Sequence, residues 1–578
     1  MNSKDNTIRY EFFSENPFTH FLDLECVVPC SGKSELHLSL SFWRPGRYEP
    51  GNFARNIRGF RVENAEGKPL KFLKTDKQTW KIFCAKEDII KVKYQYHAPE
   101  LNAGSCYVDE SQIYVNPIHC VFRCLENSDF AYEFIVRKKE GFKMACPLPL
   151  TEGVYRAENY DELADSPFIY SSRLISHRFS VNEIPIYIHI NGTCDPDFIS
   201  LENDFRLFIE EQFEFWQDVP FSEYHFMFQI TPYPFYHGVE HANNTVIAIG
   251  PGYDIYNRRL YVDVLGISSH ELFHAWNVKK MRPADFLQYD YTKENYSELG
   301  FVYEGITTYA GDKILLNCGL YSHQEFLNEL SVRLKKHIHN AGRFNYSVLE
   351  SSFDTWLDGY VPGIPDRKTS IYDEGCLIAF MLDVIIFKHS DGKKGLRHLC
   401  RELWTRYGHL KKGYTLEDVK KHAAELGGEE AERLFKDYVE KPADYTEKIK
   451  EYLEYIGIVV EMAESADLWE KHIGLKWEKG PAGWKITAVY PESPAWKAGL
   501  YIGDELLAFN EHFMNDNPNH WLRHYLYAKN AKILVQKKNH LTTIELNWDL
   551  GGGYYMIPVL HLVKVESNER KFLRWALL

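Results

Sequence analysis

Ser268-Ser269-His270-Glu271-Leu272-Phe273-His274-Ala275-Trp276-Asn277 carries the pattern His-Glu-x-x-His. On an α-helix, residues four apart share a face, so His270 and His274 can grip one metal ion. Glu271 sits about 100° round the axis, where it reaches a water beside the metal rather than the metal itself. Two neutral imidazoles suit Zn²⁺, and a carboxylate next to a polarised water suits a general base. Leu272, Phe273 and Trp276 are apolar, which predicts a buried helix whose polar side chains need partners. The chain has 24 histidines, so one such match calls for a second feature.

That feature is Phe301-Val302-Tyr303-Glu304-Gly305-Ile306-Thr307-Thr308-Tyr309-Ala310. A zinc enzyme site takes three protein ligands and keeps one position open. Glu304 is an acid inside an apolar, aromatic run that reads as a second buried helix. Buried and unpaired, a carboxylate is costly; bound to a metal it is not. Glu304 is therefore the expected third ligand, with a core salt bridge as the plainer alternative. Thr308 lies on the same face, where it can bond either a ligand or, more commonly for Thr, its own backbone.

The bulk numbers set outer limits. A length of 578 residues predicts three or four domains. The net charge of −14, without long acidic blocks, disfavours nucleic acid and anionic membrane as partners. No run approaches eighteen apolar residues, so no membrane insertion is expected. The start, MNSKDNTIRYEFF, does not read as a signal peptide. The cytoplasm is the default compartment; a mature chain whose leader had been removed would read the same, so periplasm or secretion stays open. Eleven cysteines without a CxxC, among them Cys26/Cys30 and Cys120/Cys124 spaced by four, read as reduced thiols, with disulfides as the alternative.

A His-Glu-x-x-His helix followed some thirty residues later by Glu-Gly-x-Thr-x-Tyr resembles a gluzincin metallopeptidase. The run HELFHAWNVKKMRP, His270 to Pro283, resembles in particular the glycyl aminopeptidase family. The resemblance implies a multidomain α+β fold: an N-terminal β-sandwich-like domain, a mostly helical thermolysin-like catalytic domain with a small β-sheet, and a C-terminal PDZ domain. The chain divides accordingly at 1–175, 176–458, 462–550 and a strand-and-helix tail at 551–578.

Residues 34–43 alternate apolar and polar, as a half-buried strand does. Trp43-Arg44-Pro45-Gly46-Arg47-Tyr48 resembles the family's N-terminal domain and reads as a structural turn fixed by Pro45 and Gly46. The run 105–109 is a candidate border of the cleft. In the catalytic part, strands are expected at 184–190, 224–230 and 245–250, and a helix from about 200 to 216. Gluzincin exopeptidases place a Gly-x-x-Glu segment before the edge strand with which a peptide pairs. A shorter Gly-x-Glu version, His237-Gly238-Val239-Glu240-His241, precedes the strand at 245–250. Gly238, Glu240 and His241 are thus substrate-binding candidates, Glu240 holding the free α-ammonium. Related gluzincins carry Tyr-x-Lys-Gly on a later helix, where the Tyr stabilises the oxyanion; Tyr372 matches. Glu374 stands in place of the Lys and is read as facing solvent. His472-Ile473-Gly474-Leu475 resembles a PDZ carboxylate-binding loop.

The expected function is that of a zinc aminopeptidase removing N-terminal residues from peptides. One Zn²⁺ per chain is held by His270, His274 and Glu304, with Glu271 and Tyr372 catalytic. Small residues such as Gly or Ala are implied only by the family's name. Two alternatives stand beside it: a zinc endopeptidase that recruits substrates through its PDZ domain, and a non-catalytic scaffold whose PDZ groove takes C-terminal peptides.

Overall fold

The computed structural model of the chain describes residues 6–578 apart from 85, 86, 128, 362 and 515. The first five residues, part of the stretch read for a leader, lie outside these. Among the described residues no helix is long and apolar enough to cross a membrane. All eleven cysteines are free.

Strands dominate from Thr7 to Ser171. Phe21–Pro29 and Ile89–His97 bury every second residue, the period of a strand with one face on a core. They belong to a seven-stranded sheet that closes with a four-stranded one on Phe12, Leu24, Trp80, Val92 and Phe122. A third sheet, absent from the simple sandwich expected, includes Gln112–Val115 and Phe168–Ser171. These two strands are buried on both faces. Val115 and Phe168 point into the N-terminal core, whereas Tyr114 and Ile169 pack on Met227, Val239 and Val246 of the next domain. The two domains are thus joined through a shared sheet.

The predicted strand at 34–43 ends at Ser39. The chain then leaves the N-terminal core. Trp43 is fully buried against the catalytic domain, and its indole Nε1 donates to the Asp290 carbonyl at 2.9 Å.

The catalytic domain has one five-stranded sheet: β1 (Ile175–Val181), β2 (Ile184–Gly192), β3 (Tyr224–Ile230), β4 (Phe235–Glu240) and β5 (Asn244–Gly250), in the order β1-β2-β3-β5-β4. The crossover between β2 and β3 is α1 (Phe198–Trp216), started by the Asp197 side chain accepting from the Ile199 and Ser200 amides. The strand at 245–250 is interior, not the edge. The edge on that side is β4, which itself contains Gly238 and Glu240. This corrects the expectation that the motif precedes the edge strand: a hairpin at 241–243 turns the chain inward after it.

The helices that matter below are α2 (Arg258–Phe273), α3 (Thr307–Asn317), α4 (His323–His339) and α5 (Ile371–His389). Residues 464–549 form a smaller domain, its sheet wrapped on Trp469, Leu475, Leu506, Phe509 and Ile533. The loop at Gly474 is covered: the Tyr554 amide donates to the Lys471 carbonyl at 3.3 Å, and a Cβ on Gly552 would lie 2.5 Å from that same oxygen. The chain's own tail therefore packs against the loop that reads as carboxylate-binding. Beyond it, Ile557–Leu562 pairs with Ile458–Ala463, and α6 (Glu566–Ala576) folds back on the catalytic domain. There the buried Lys313 of α3 donates to Asp383 Oδ2 at 3.2 Å and to the Trp575 carbonyl at 3.1 Å.

Candidate active site

Helix α2 carries His270 and Glu271 in its last turn, and His274 follows directly with helical backbone angles. The helix is fixed from two sides. Gln212 of α1 donates to the Ser269 carbonyl at 2.7 Å, and the Ser269 hydroxyl donates to the Gly311 carbonyl of α3 at 2.9 Å. Gly311 lets α3 come close, since a Cβ there would sit 3.3 Å from His270 Cα. Glu304 lies on a single wide turn, Phe301–Ile306, that runs into α3. Such π-turns recur at functional sites because the extra residue re-aims side chains.

These elements converge. One ligand atom each from His270, His274 and Glu304 lies within 4.8 Å of the others. Glu304 Oε2 is 3.3 Å from His274 Nε2 and 3.8 Å from His270 Nε2. The two Nε2 atoms are 3.0 Å apart. His274 Nδ1 is 2.7 Å from the Asn277 carbonyl, so that nitrogen carries a proton and Nε2 is the one turned to Glu304 and His270. Burial pulls the His274 imidazolium down, but Glu304 outweighs it and the group stands at about 9. Burial pushes the Glu304 carboxyl up, against His274. Burial, with His274 and Arg333 adding to it, holds His270 well below the usual imidazole range. Two imidazoles and a carboxylate converging in this way fit a divalent cation.

The three residues open on a cavity of about 780 Å³. Glu271 faces it, with its Oε2 buried and lacking a hydrogen-bond partner. Burial holds this carboxyl well above the usual range. Gly238 makes room for it: a Cβ there would lie 2.2 Å from Glu271 Oε1. Glu240, two residues along β4, lines the same cavity. Tyr372, at the start of α5, also lines it and helps hold Glu304 down.

The other candidates are engaged by other groups. His241 is turned to the domain boundary, its Nδ1 3.0 Å from Asp165 Oδ1, and does not line the cavity. Thr308 donates to the Glu304 carbonyl at 2.9 Å, the backbone option. Of the run 105–109, Ser105 and Cys106 line a separate cavity on the N-terminal domain. Glu374 does not face solvent. It is 4% exposed, lies 2.9 Å from His337 Nδ1, and accepts from the Tyr445 hydroxyl. Where the resemblance implies a lysine, this chain has an acid inside a buried polar network.

Three features of the wall were not legible as such. The turn at 44–47 is structural, with Gly46 at φ +81°, yet it also closes the cavity. A Cβ on Gly46 would lie 2.5 Å from Glu240 Oε2. Arg44, buried, lines the same wall. Tyr360 accepts from the Tyr48 amide at 3.2 Å and so locks the turn to the catalytic domain. The only signal was two arginines flanking Pro-Gly within an aromatic stretch.

Residues 9–172 match the M61 peptidase N-terminal domain, and residues 263–378 match the M61 glycyl aminopeptidase. An aminopeptidase N family protein from Idiomarina loihiensis superposes over 99% of this chain and 100% of its own, with a TM-score of 0.90 and 25% identity. An M1 zinc metallopeptidase from Deinococcus radiodurans aligns over 77% of this chain and 98% of its own, at a TM-score of 0.48 and 12% identity. No curated protein matches the sequence.

Proposed function

From the premise that this chain is a metallopeptidase with M61 N-terminal and catalytic domains, we propose that it is a zinc-dependent aminopeptidase acting on short peptides. The reading rests on one juxtaposition: the His270, His274 and Glu304 ligand atoms gather beside the unpartnered oxygen of Glu271. Bound there, zinc supplies a Lewis acid that polarises the scissile carbonyl and acidifies a water.

The chain's own residues do the rest. Glu271, whose carboxyl is pushed up by burial, takes a proton from the attacking water and passes it to the leaving amine. The Tyr372 hydroxyl donates to the oxyanion, a contact worth roughly 3 kcal/mol. The edge of β4 pairs with the substrate backbone, and Glu240 at its end takes the α-ammonium. Gly46 and Arg44 wall off the space beyond Glu240, which favours removal of terminal residues over internal cleavage. Preference for Gly or Ala follows from the family resemblance. We read the domain at 464–549 as a PDZ fold used for packing, because its loop at Gly474 is covered by the tail.

The test is metal analysis together with a chelator-sensitive assay on matched free and N-acetylated peptides. One zinc per chain and cleavage of the free peptides alone is the expected result. Equal cleavage of both forms would make the protein an endopeptidase, and no cleavage of either would leave the scaffold reading.

A further inference from the structure

The active-site cavity does not end at the zinc ligands. On α2 it is lined by Asp263, Gly266, Ile267 and His270, one face of the helix running away from Glu240. On α4 it is lined by Glu329, Arg333 and Lys336, again a single helical stripe. With the amino terminus at Glu240, this direction is the side taken by residues after the scissile bond. The cavity's last wall, Lys336, Ser370 and Asp373, is shared with a second cavity of about 440 Å³.

That second cavity lies between two domains. Lys335 and His339 of α4 line it from the catalytic side, and Lys476 reaches in from the small domain. His339 Nε2 is 2.8 Å from the Met556 carbonyl and donates to it, so its Nδ1 accepts from Lys476 Nζ at 3.0 Å. Lys336 is already held by Asp373, at 3.0 Å. Glu374, which also lines the cavity, is taken up by His337 and Tyr445, and Glu470, the acid that acts on Lys476, accepts from the Ser465 hydroxyl. Lys335 and Lys476 make no ion pair among the described residues, and Lys335 acts on Lys476 as a like charge. Two ammonium groups without an ion-pair partner, at the end of a peptide cleft whose acids are already partnered, are complementary to an anion.

We propose that Lys335 and Lys476 form a subsite for the terminal α-carboxylate of a short peptide substrate, so that the small domain measures peptide length. From Glu329 to His339 α4 rises about 15 Å, which an extended chain covers in about five residues. The inference rests on the aminopeptidase reading above, since it needs the amino terminus at Glu240.

The test compares peptides of about three to eight residues, each as the free acid and as the C-terminal amide, in the full-length zinc enzyme. At one length the acid should be cleaved with a kcat/KM about tenfold above its amide, the size of one charge-assisted contact. In Lys335→Gln/Lys476→Gln the acid-to-amide ratio should fall to about one, and comparing the two forms within one variant removes any general loss of activity. Binding of the same pairs to Glu271→Gln by calorimetry should show the same preference. A ratio near one at every length in the wild type, or a preference that survives in the double variant, overturns the subsite. Failure of the wild type to release an amino acid from a chromogenic anilide strikes the aminopeptidase reading instead.

Discussion

Gly305, one residue after the third proposed ligand, and Gly375, three after Tyr372, touch backbone to backbone: a Cβ on Gly305 would lie 2.3 Å from Gly375 Cα. This crossing sets the distance between the wide turn that carries Glu304 and the start of α5. Gly305→Ala should push the two apart. It should cost about 1–3 kcal/mol of stability and weaken zinc binding, read by thermal unfolding and by metal content after dialysis. Full zinc retention with an unshifted unfolding temperature would show that the contact does not set the site.

Glu271→Gln keeps the size of the side chain and removes its basicity. Zinc should stay bound while kcat falls by roughly 10²–10⁴. Metal analysis beside steady-state kinetics checks this, and near-normal turnover would take the proton-transfer role away from Glu271.

Gly46→Ala strains a left-handed position and places a methyl carbon 2.5 Å from Glu240 Oε2. The expected effect is a raised KM for peptides with free amino termini and little change in zinc content. An unchanged KM would separate the turn from amino-terminus recognition.

Asp165 joins the N-terminal domain to Lys279, 2.6 Å away, and to His241. Burial pushes its carboxyl up, but Lys279 and His241 outweigh this and hold it well below the usual range. A depressed folded value gives stability that is present above the ordinary carboxylate value, near pH 4, and lost as pH falls through the folded one. Asp165→Asn leaves the buried Lys279 unpaired and should destabilise by about 3 kcal/mol at neutral pH. The gap to wild type should narrow as pH drops below about 4, measured by chemical denaturation across that range. A gap independent of pH would mean that packing, not charge, accounts for it.

The sequence carried the parts of the site that obey local rules. His270, Glu271 and His274 follow from helical spacing, and Glu304 from the cost of an acid among aromatics. The strands at 224–230 and 184–190 follow from composition and spacing. What escaped depends on contacts between residues far apart in the chain. Glu374 looked exposed because nothing nearby in sequence announces His337 or Tyr445 as its partners. Arg44 and Tyr360 enter the wall from another domain and a distant loop. The edge strand was misplaced by one hairpin, because two adjacent apolar strands do not say which of them lies outside.

The link from Lys313 to Trp575 ties the helix that continues from Glu304 to the last few residues of the chain. Synthesis proceeds from the amino end, so α3 leaves the ribosome with a buried lysine lacking one of its acceptors. The nascent polypeptide cannot complete the environment of that lysine until Trp575 has been made, 262 residues later. Premature stop products should therefore reach the cell with a loosened third-ligand helix, as targets for quality control rather than as shortened hydrolases.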